Sequence, residues 1–293
     1  MFDILIIGGG PAGLSAAIYG ARAKKSILVL EAKSYGGQII NSSIVENYPG
    51  IEKCSGFDYA TTLYNQAKSL GASIVFDEVI EILDKNTVKT KSEVYRAKTI
   101  IIATGLTKRK LGLYGENELI GKGISYCATC DGAFFRDKVV AVVGSGATAI
   151  EDTLYLSNIV KKIYLINRSE KFKADKINID SVIKKDNVEI IYNTNVVSLN
   201  GEDTLKSITL SDENVLEVDG LFIAVGYIPE SNIFKNIVNI DKNGFIKSVD
   251  TKTNVDNIFV AGDIRTKDLR QLITAASDGA EAIHNALDYL NNN

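Results

Sequence analysis

Residues 2–32 read FDILIIGGGPAGLSAAIYGARAKKSILVLEA, and this run decides the fold. Phe2–Gly8 is a short, almost unbroken apolar segment, the pattern of a strand covered on both faces. "GLSAAIYGARA" then reads as a helix, and "SILVLEA" as a second strand. Between first strand and helix stands Gly8-x-Gly10-x-x-Gly13. The first glycine permits a tight turn, the second lets the backbone approach a pyrophosphate, and the third lets helix and strand pack closely. The phosphates then meet the free N–H groups of a helix N-terminus. Glu31 closes the second strand, placed to accept hydrogen bonds from a ribose diol. The run predicts a βαβ unit that holds FAD or NAD.

The unit recurs. "KVVAVVG" is a strand, Gly144-x-Gly146-x-x-Ala149 the turn, "TAIEDTLYLSN" a helix and "KKIYLIN" the second strand. Where the first copy has Glu31, the second has Asn167 followed by Arg168. A carboxylate repels a ribose phosphate, whereas an arginine accommodates one. The second site therefore suits a phosphorylated nicotinamide cofactor, with Lys173 adding charge and Lys171 read as solvated surface.

The totals agree with a chain of this kind. Its 293 residues leave room for about two domains, and 45% apolar with 24% charged residues is ordinary for a soluble globular protein. A net charge of −3 without a long basic tract argues against nucleic acid or an anionic membrane as partner. Asp3 stands where a secretory signal carries cations, and Gly8–Gly10 with Pro11 interrupt the apolar run before it can span a bilayer. Three cysteines make a poor extracellular framework, so the expected location is cytoplasmic.

Two of those cysteines lie in "SYCATCDGA", Ser125–Ala133, where Cys127 and Cys130 are followed at once by Asp131. A structural zinc needs four ligands, and the soft candidates are Cys54, Cys127, Cys130 and His284, scattered over the chain. No metal is expected; Cys54 reads as a free thiol and His284 as a helix-surface residue. A pair at i, i+3 can close a small disulfide ring and exchange with another disulfide. Exchange needs a proton donor and acceptor, and Asp131 is the nearest titratable group, with helix capping or loop solvation as its plain alternative. Two dinucleotide sites and one cysteine pair point to an electron path from NADPH to flavin to disulfide, against a flavoprotein whose cysteine pair is only structural.

At these residues the chain resembles the low-molecular-weight, bacterial-type thioredoxin reductases. "SYCATCDGAFF" is similar to their redox motif and "IIGGGPAGLSAAIYGARA" to their FAD turn. "GGQIINSSIVENYPG", Gly36–Gly50, resembles their flavin-contacting loop, and "IIATG", Ile101–Gly105, the strand that returns to it. "TNVDNIFVAGDI" and "LRQLITAASDGAEA" resemble the closing FAD segment. The resemblance implies that Cys130 lies beside the flavin, that Cys127 attacks thioredoxin and that Asp131 is the general acid–base. It implies that Asp263 bonds the ribityl chain and that Gln38, Asn47, Arg270 and Gln271 line the flavin, with Thr104, Gly105 and Gly262 in the same FAD site. It also implies a homodimer and a rotation between domains. The family's His-Arg-Arg run and later arginine read here Asn167, Arg168, Ser169 and Lys173, and lysine does not reproduce a bidentate fork. NADPH is the expected donor, with NADH or reduced ferredoxin or flavodoxin as alternatives.

The FAD-type signals sit at both ends of the chain and the second fingerprint between them. The expected architecture is α/β, with two Rossmann-like three-layer nucleotide-binding domains, the second inserted into the first. The FAD-binding domain takes residues 1–108 and 233–293, and the pyridine-nucleotide-type domain with the cysteine pair takes 109–232. Asn200-Gly201 and Asp212–Asn214 read as hairpin turns, and the tail "DYLNNN" as a frayed end.

Overall fold

The computed structural model describes residues 1–42 and 45–293. It divides into two compact units, Met1–Thr107 with Ile228–Asn293, and Lys108–Tyr227. The crossings, Leu106–Lys108 and Tyr227–Pro229, pair as a two-stranded ribbon, so the return falls ahead of the expected Ile233.

In the first unit, parallel neighbours run in the order Ser73–Phe76, Ile27–Glu31, Phe2–Ile7, Val94–Ile102 and Ile258–Val260. An antiparallel arm, Val79–Asp84 and Thr87–Thr90, continues from the start of Val94–Ile102. Alternation explains the unbroken apolar strands. Ile4, Ile6, Val29 and Ile101 face the helices Pro11–Arg22 and Leu272–Asn292. Leu5, Ile7, Leu28, Leu30, Ile100 and Ile102 face the arm and the segment around Phe234, Val238 and Ile246. Both faces are covered, giving three layers, and each buried aliphatic side chain stabilises by about 1.5–3 kcal/mol.

The second unit repeats the plan with a parallel sheet in the order Val188–Ile191, Lys162–Ile166, Val139–Val143, Gly220–Ile223 and Ile124–Ser125. Val140 and Val142 face the helix Ala147–Leu156, while Ala141 and Val143 face the three-stranded sheet of Val196–Asn200, Ser207–Leu210 and Val215–Glu217. Gly201 and the Asp212–Asn214 run lie in the two connections of that antiparallel sheet.

The C-terminus departs from expectation. The last helix continues to Asn292 instead of fraying. Leu287, Tyr289 and Leu290 pack on the first core, and the Asn292 and Asn293 amides donate to the carbonyls of Asp288 and Tyr289 at 2.8 and 3.0 Å. Those bonds occupy carbonyls that a helix end leaves open. No helix among the described residues is long and apolar enough to cross a membrane.

Candidate functional site

Strand register decides which residues share an edge. In the first sheet Ile7 pairs with Leu30 and with Ile102, and Ile102 with Val260, so these strands end in one row. The next residues, Gly8, Glu31, Ala103–Thr104 and Ala261–Asp263, all leave from the carboxyl edge, where open α/β sheets bind ligands. Gly8 has φ +112°, and a Cβ on Gly13 would stand 1.9 Å from the Gly8 carbonyl oxygen. Gly10 caps the helix Pro11–Arg22, and a Cβ there would meet nothing nearer than Gly37 Cα at 3.9 Å. The chain's own packing thus requires glycine at 13 but not at 10, where space remains for a ligand. Glu31 is tied to the turn by the Gly9 N–H, which donates to its Oε2 at 2.7 Å.

The closing segment completes this edge. Asn47 Nδ2 donates to Gln271 Oε1 at 3.2 Å, and Gln38 Nε2 donates to the Leu106 carbonyl at 3.0 Å. Of the loop Gly36–Gly50, Ser43 and Ile44 lie outside the described residues. Gln271 caps the helix Leu272–Asn292, and its N–H donates to Thr274 Oγ1 at 3.1 Å. Arg270 lies over the Phe245 ring at 4.2 Å and donates to the Asp263 and Arg265 carbonyls, both at 3.3 Å. Gly105, at φ +67°, follows Thr104. The Thr104 hydroxyl and Asp263 Oδ1 are buried without a hydrogen-bond partner. Burial raises the Asp263 pKa, opposed by Lys267 and Arg270. Buried polar atoms of this kind normally find partners, and a polyhydroxyl chain with a pyrophosphate would supply them.

Asp278, which no sequence motif marks, holds the edge in shape. The residue is 4% exposed, and its carboxylate accepts from the Gly262 N–H at 2.9 Å, Arg265 Nε at 2.9 Å and Lys267 Nζ at 2.8 Å. Burial works against its charge, yet the hydrogen bonds from Arg265 and Lys267 hold it below the ordinary carboxylate range. In sequence it is one acid on a helix, with no signal of burial.

The second sheet repeats the edge. Ile166 pairs with Val143 and Val143 with Ile223, and the Gly144–Ala149 turn follows that row. A Cβ on Gly144 would stand 2.3 Å from the Ala224 carbonyl oxygen, whereas one on Gly146 would meet nothing within 4 Å. Ala149 is buried at the third position. The Lys173 N–H donates to the Ser145 carbonyl at 2.6 Å, which brings that segment to the turn, and Arg168 and Lys173 are exposed. Asn167 is fully buried; its Oδ1 accepts from the Ser169 N–H at 3.1 Å, and its Nδ2 has no partner.

The cysteine pair leaves the same edge. The strand Ile124–Ser125 pairs with Leu221–Phe222, and Cys127 and Cys130 follow it as a disulfide with Cα atoms 5.3 Å apart. Cys127 caps the short helix Ala128–Asp131, and the Cys130 N–H donates to its Sγ at 3.3 Å. The buried Ser125 hydroxyl donates to Asp131 Oδ2 at 2.6 Å and accepts from the Cys127 N–H at 3.0 Å. Asp131 is thereby tied through Ser125 to the backbone of Cys127. Cys54 is a free thiol of the first unit, and His284 is an exposed residue 3.5 Å from Asp288. No group of three or more His, Cys, Asp or Glu among the described residues is arranged to hold a metal.

The family model of the pyridine nucleotide-disulphide oxidoreductases matches residues 2–282. A thioredoxin reductase of Listeria monocytogenes is 40% identical over 300 residues, covering 99% of this chain and 94% of its own. That of Bacillus subtilis is 38% identical over 300 residues, covering 99% and 95%. The crystal structure of Lactococcus lactis thioredoxin reductase in its FR conformation has a TM-score of 0.89 at 34% identity, covering all of both chains. The chain belongs to the pyridine nucleotide-disulphide oxidoreductase family, on its thioredoxin reductase branch.

Proposed function

We propose that this chain is a flavin-dependent reductase of thioredoxin disulfide, fed by NADPH and working through Cys127 and Cys130. One observation carries the reading: a disulfide stands on the carboxyl edge of a sheet that also bears a nucleotide-type turn. The first unit fits FAD, with Glu31 toward the ribose, Gly8, Gly10 and Gly13 at the pyrophosphate, and Thr104 and Asp263 supplying the polar atoms that now lack partners. FAD, when bound, passes two electrons from the pyridine nucleotide to the disulfide.

The protein's own part is sulfur and proton chemistry. Reduction breaks the Cys127–Cys130 bond and leaves a dithiol. The Cys130 N–H that donates to Cys127 Sγ favours a thiolate on Cys127. That thiolate attacks one sulfur of the thioredoxin disulfide, forming a mixed disulfide and expelling the other sulfur as a thiolate. Cys130 then attacks Cys127 Sγ, which re-forms the internal disulfide and releases reduced thioredoxin. Asp131, held by Ser125, takes the proton of Cys130 as that sulfur attacks and delivers it to the leaving sulfur. Asp131→Asn is expected to slow thioredoxin reduction about 100-fold while flavin reduction stays near wild type. Equal slowing of both steps in stopped flow removes Asp131 from this role.

The donor reading rests on Asn167 and Arg168. Asn167 Oδ1 is already bound to backbone, so Nδ2 is the atom it can offer, and an N–H donor serves a hydroxyl or a phosphate oxygen alike. Without a carboxylate there, a 2′-phosphate meets no repulsion, and Arg168 and Lys173 supply exposed cations. Anaerobic titration with NADPH, NADH and reduced ferredoxin in parallel should bleach the flavin with both nucleotides, NADPH acting at about tenfold lower concentration. Bleaching by ferredoxin alone overturns the pyridine-nucleotide assignment.

A further inference from the structure

The half-buried Lys108 is the first residue of the second unit, and its ammonium donates to the carbonyl of Tyr126, the residue before Cys127. It also feels the carboxylates of Asp131, the residue after Cys130, and of Asp152, on the helix Ala147–Leu156. The cation is thus hydrogen-bonded at the residue before Cys127. Tyr126 is anchored a second time, since its hydroxyl donates to Glu116. Glu116 is buried and accepts the N–H groups of Leu111, Gly112 and Leu113 at 3.0, 2.7 and 3.2 Å. The peptide entering Cys127 is thus held at its carbonyl and its side chain by residues 108–116.

We propose that Lys108 is a positioning residue for the dithiol whose charge favours its thiolate. The proposal rests on the redox role given to Cys127 and Cys130 above. Asp152 meets Lys108 from the outgoing crossing, Glu151 from its own helix and Tyr227 from the returning crossing; Lys108 meets Asp152 and Asp131. Burial raises the Asp152 pKa to about 7, with Lys108 opposing and Glu151 adding to the shift. Burial lowers that of Lys108, and both carboxylates oppose the change. Above about pH 7 Asp152 is ionised and, with Asp131, offsets the ammonium; below it Asp152 is neutral and Asp131 alone does so.

The test is the rate of iodoacetamide alkylation of the reduced, flavin-loaded protein against pH, read on the peptide that carries Cys127 and Cys130 so that Cys54 does not contribute. Lys108→Met should move the midpoint up by about one pH unit, roughly tenfold slower alkylation at pH 7. Lys108→Arg should keep the wild-type midpoint, because the charge remains. A role confined to structure leaves the midpoint still. An unmoved midpoint in Lys108→Met, or a midpoint in Lys108→Arg displaced as far as that of Lys108→Met, overturns the proposal. If the wild type fails to reduce thioredoxin while the Lys108→Met midpoint moves as described, the substrate reading falls and this inference stands.

Discussion

Cys127→Ser and Cys130→Ser are each expected to lose thioredoxin-disulfide turnover by more than about 10³-fold, because a hydroxyl cannot form or resolve a mixed disulfide. The two variants should fail differently. With Cys130→Ser, the Cys127 thiolate still attacks thioredoxin, and nothing displaces the product. A covalent adduct should therefore accumulate and appear on a non-reducing gel. With Cys127→Ser, the sulfur that accepts the Cys130 N–H is gone, and that adduct should not build up. Flavin reduction by nucleotide should persist in both, since neither residue belongs to the first unit. Normal turnover in either single variant would falsify the dithiol mechanism.

The second large effect separates packing from ligand binding within one turn. Gly13→Ala places a Cβ 1.9 Å from the Gly8 carbonyl oxygen, a backbone atom that cannot give way alone. The turn must open, disturbing the Gly9 N–H bond to Glu31, and a loss of about 3 kcal/mol or more in stability is expected together with loss of flavin. Gly10→Ala is the sharper experiment. Its Cβ meets no protein atom closer than 3.9 Å, so the apoprotein should melt within about 0.5 kcal/mol of wild type. FAD affinity should nevertheless fall by about 100-fold, because the methyl group occupies the approach that the pyrophosphate needs. Flavin fluorescence titration of the two variants beside their melting curves reads both quantities. If Gly10→Ala binds FAD as tightly as wild type, the pyrophosphate does not lie on this turn.

Local rules explain what was readable in advance. Alternation of Ile4 and Ile6 against Leu5 and Ile7 on two packed faces is the reason Phe2–Ile7 is apolar throughout, and that pattern is visible without coordinates. The Cys127–Cys130 ring closes over three residues, so spacing alone makes it possible. Asp278 shows the opposite case. It lies 16 residues from Gly262, 13 from Arg265 and 11 from Lys267, and only the packing of the last helix brings it to them. Asp152 stands beside Glu151 on the same helix, and nothing in their order says that burial carries one of them to a pKa of about 7. The tail is a helix for a related reason. Asn-rich ends fray in isolation, and here Leu287, Tyr289 and Leu290 hold the last turns against a core built from distant strands.

By itself, then, the order of residues determined two βαβ units, their glycine turns and a cysteine pair able to close, because each depends on neighbours within one turn or one strand. Only the tertiary structure decided that strands of unequal position end in one row, that Ser125 grips Asp131, and that Lys108, Asp152 and Asp278 lose enough water to act on their surroundings. Desolvation and register are properties of the packed chain, set by segments far apart in sequence, and no local pattern records them.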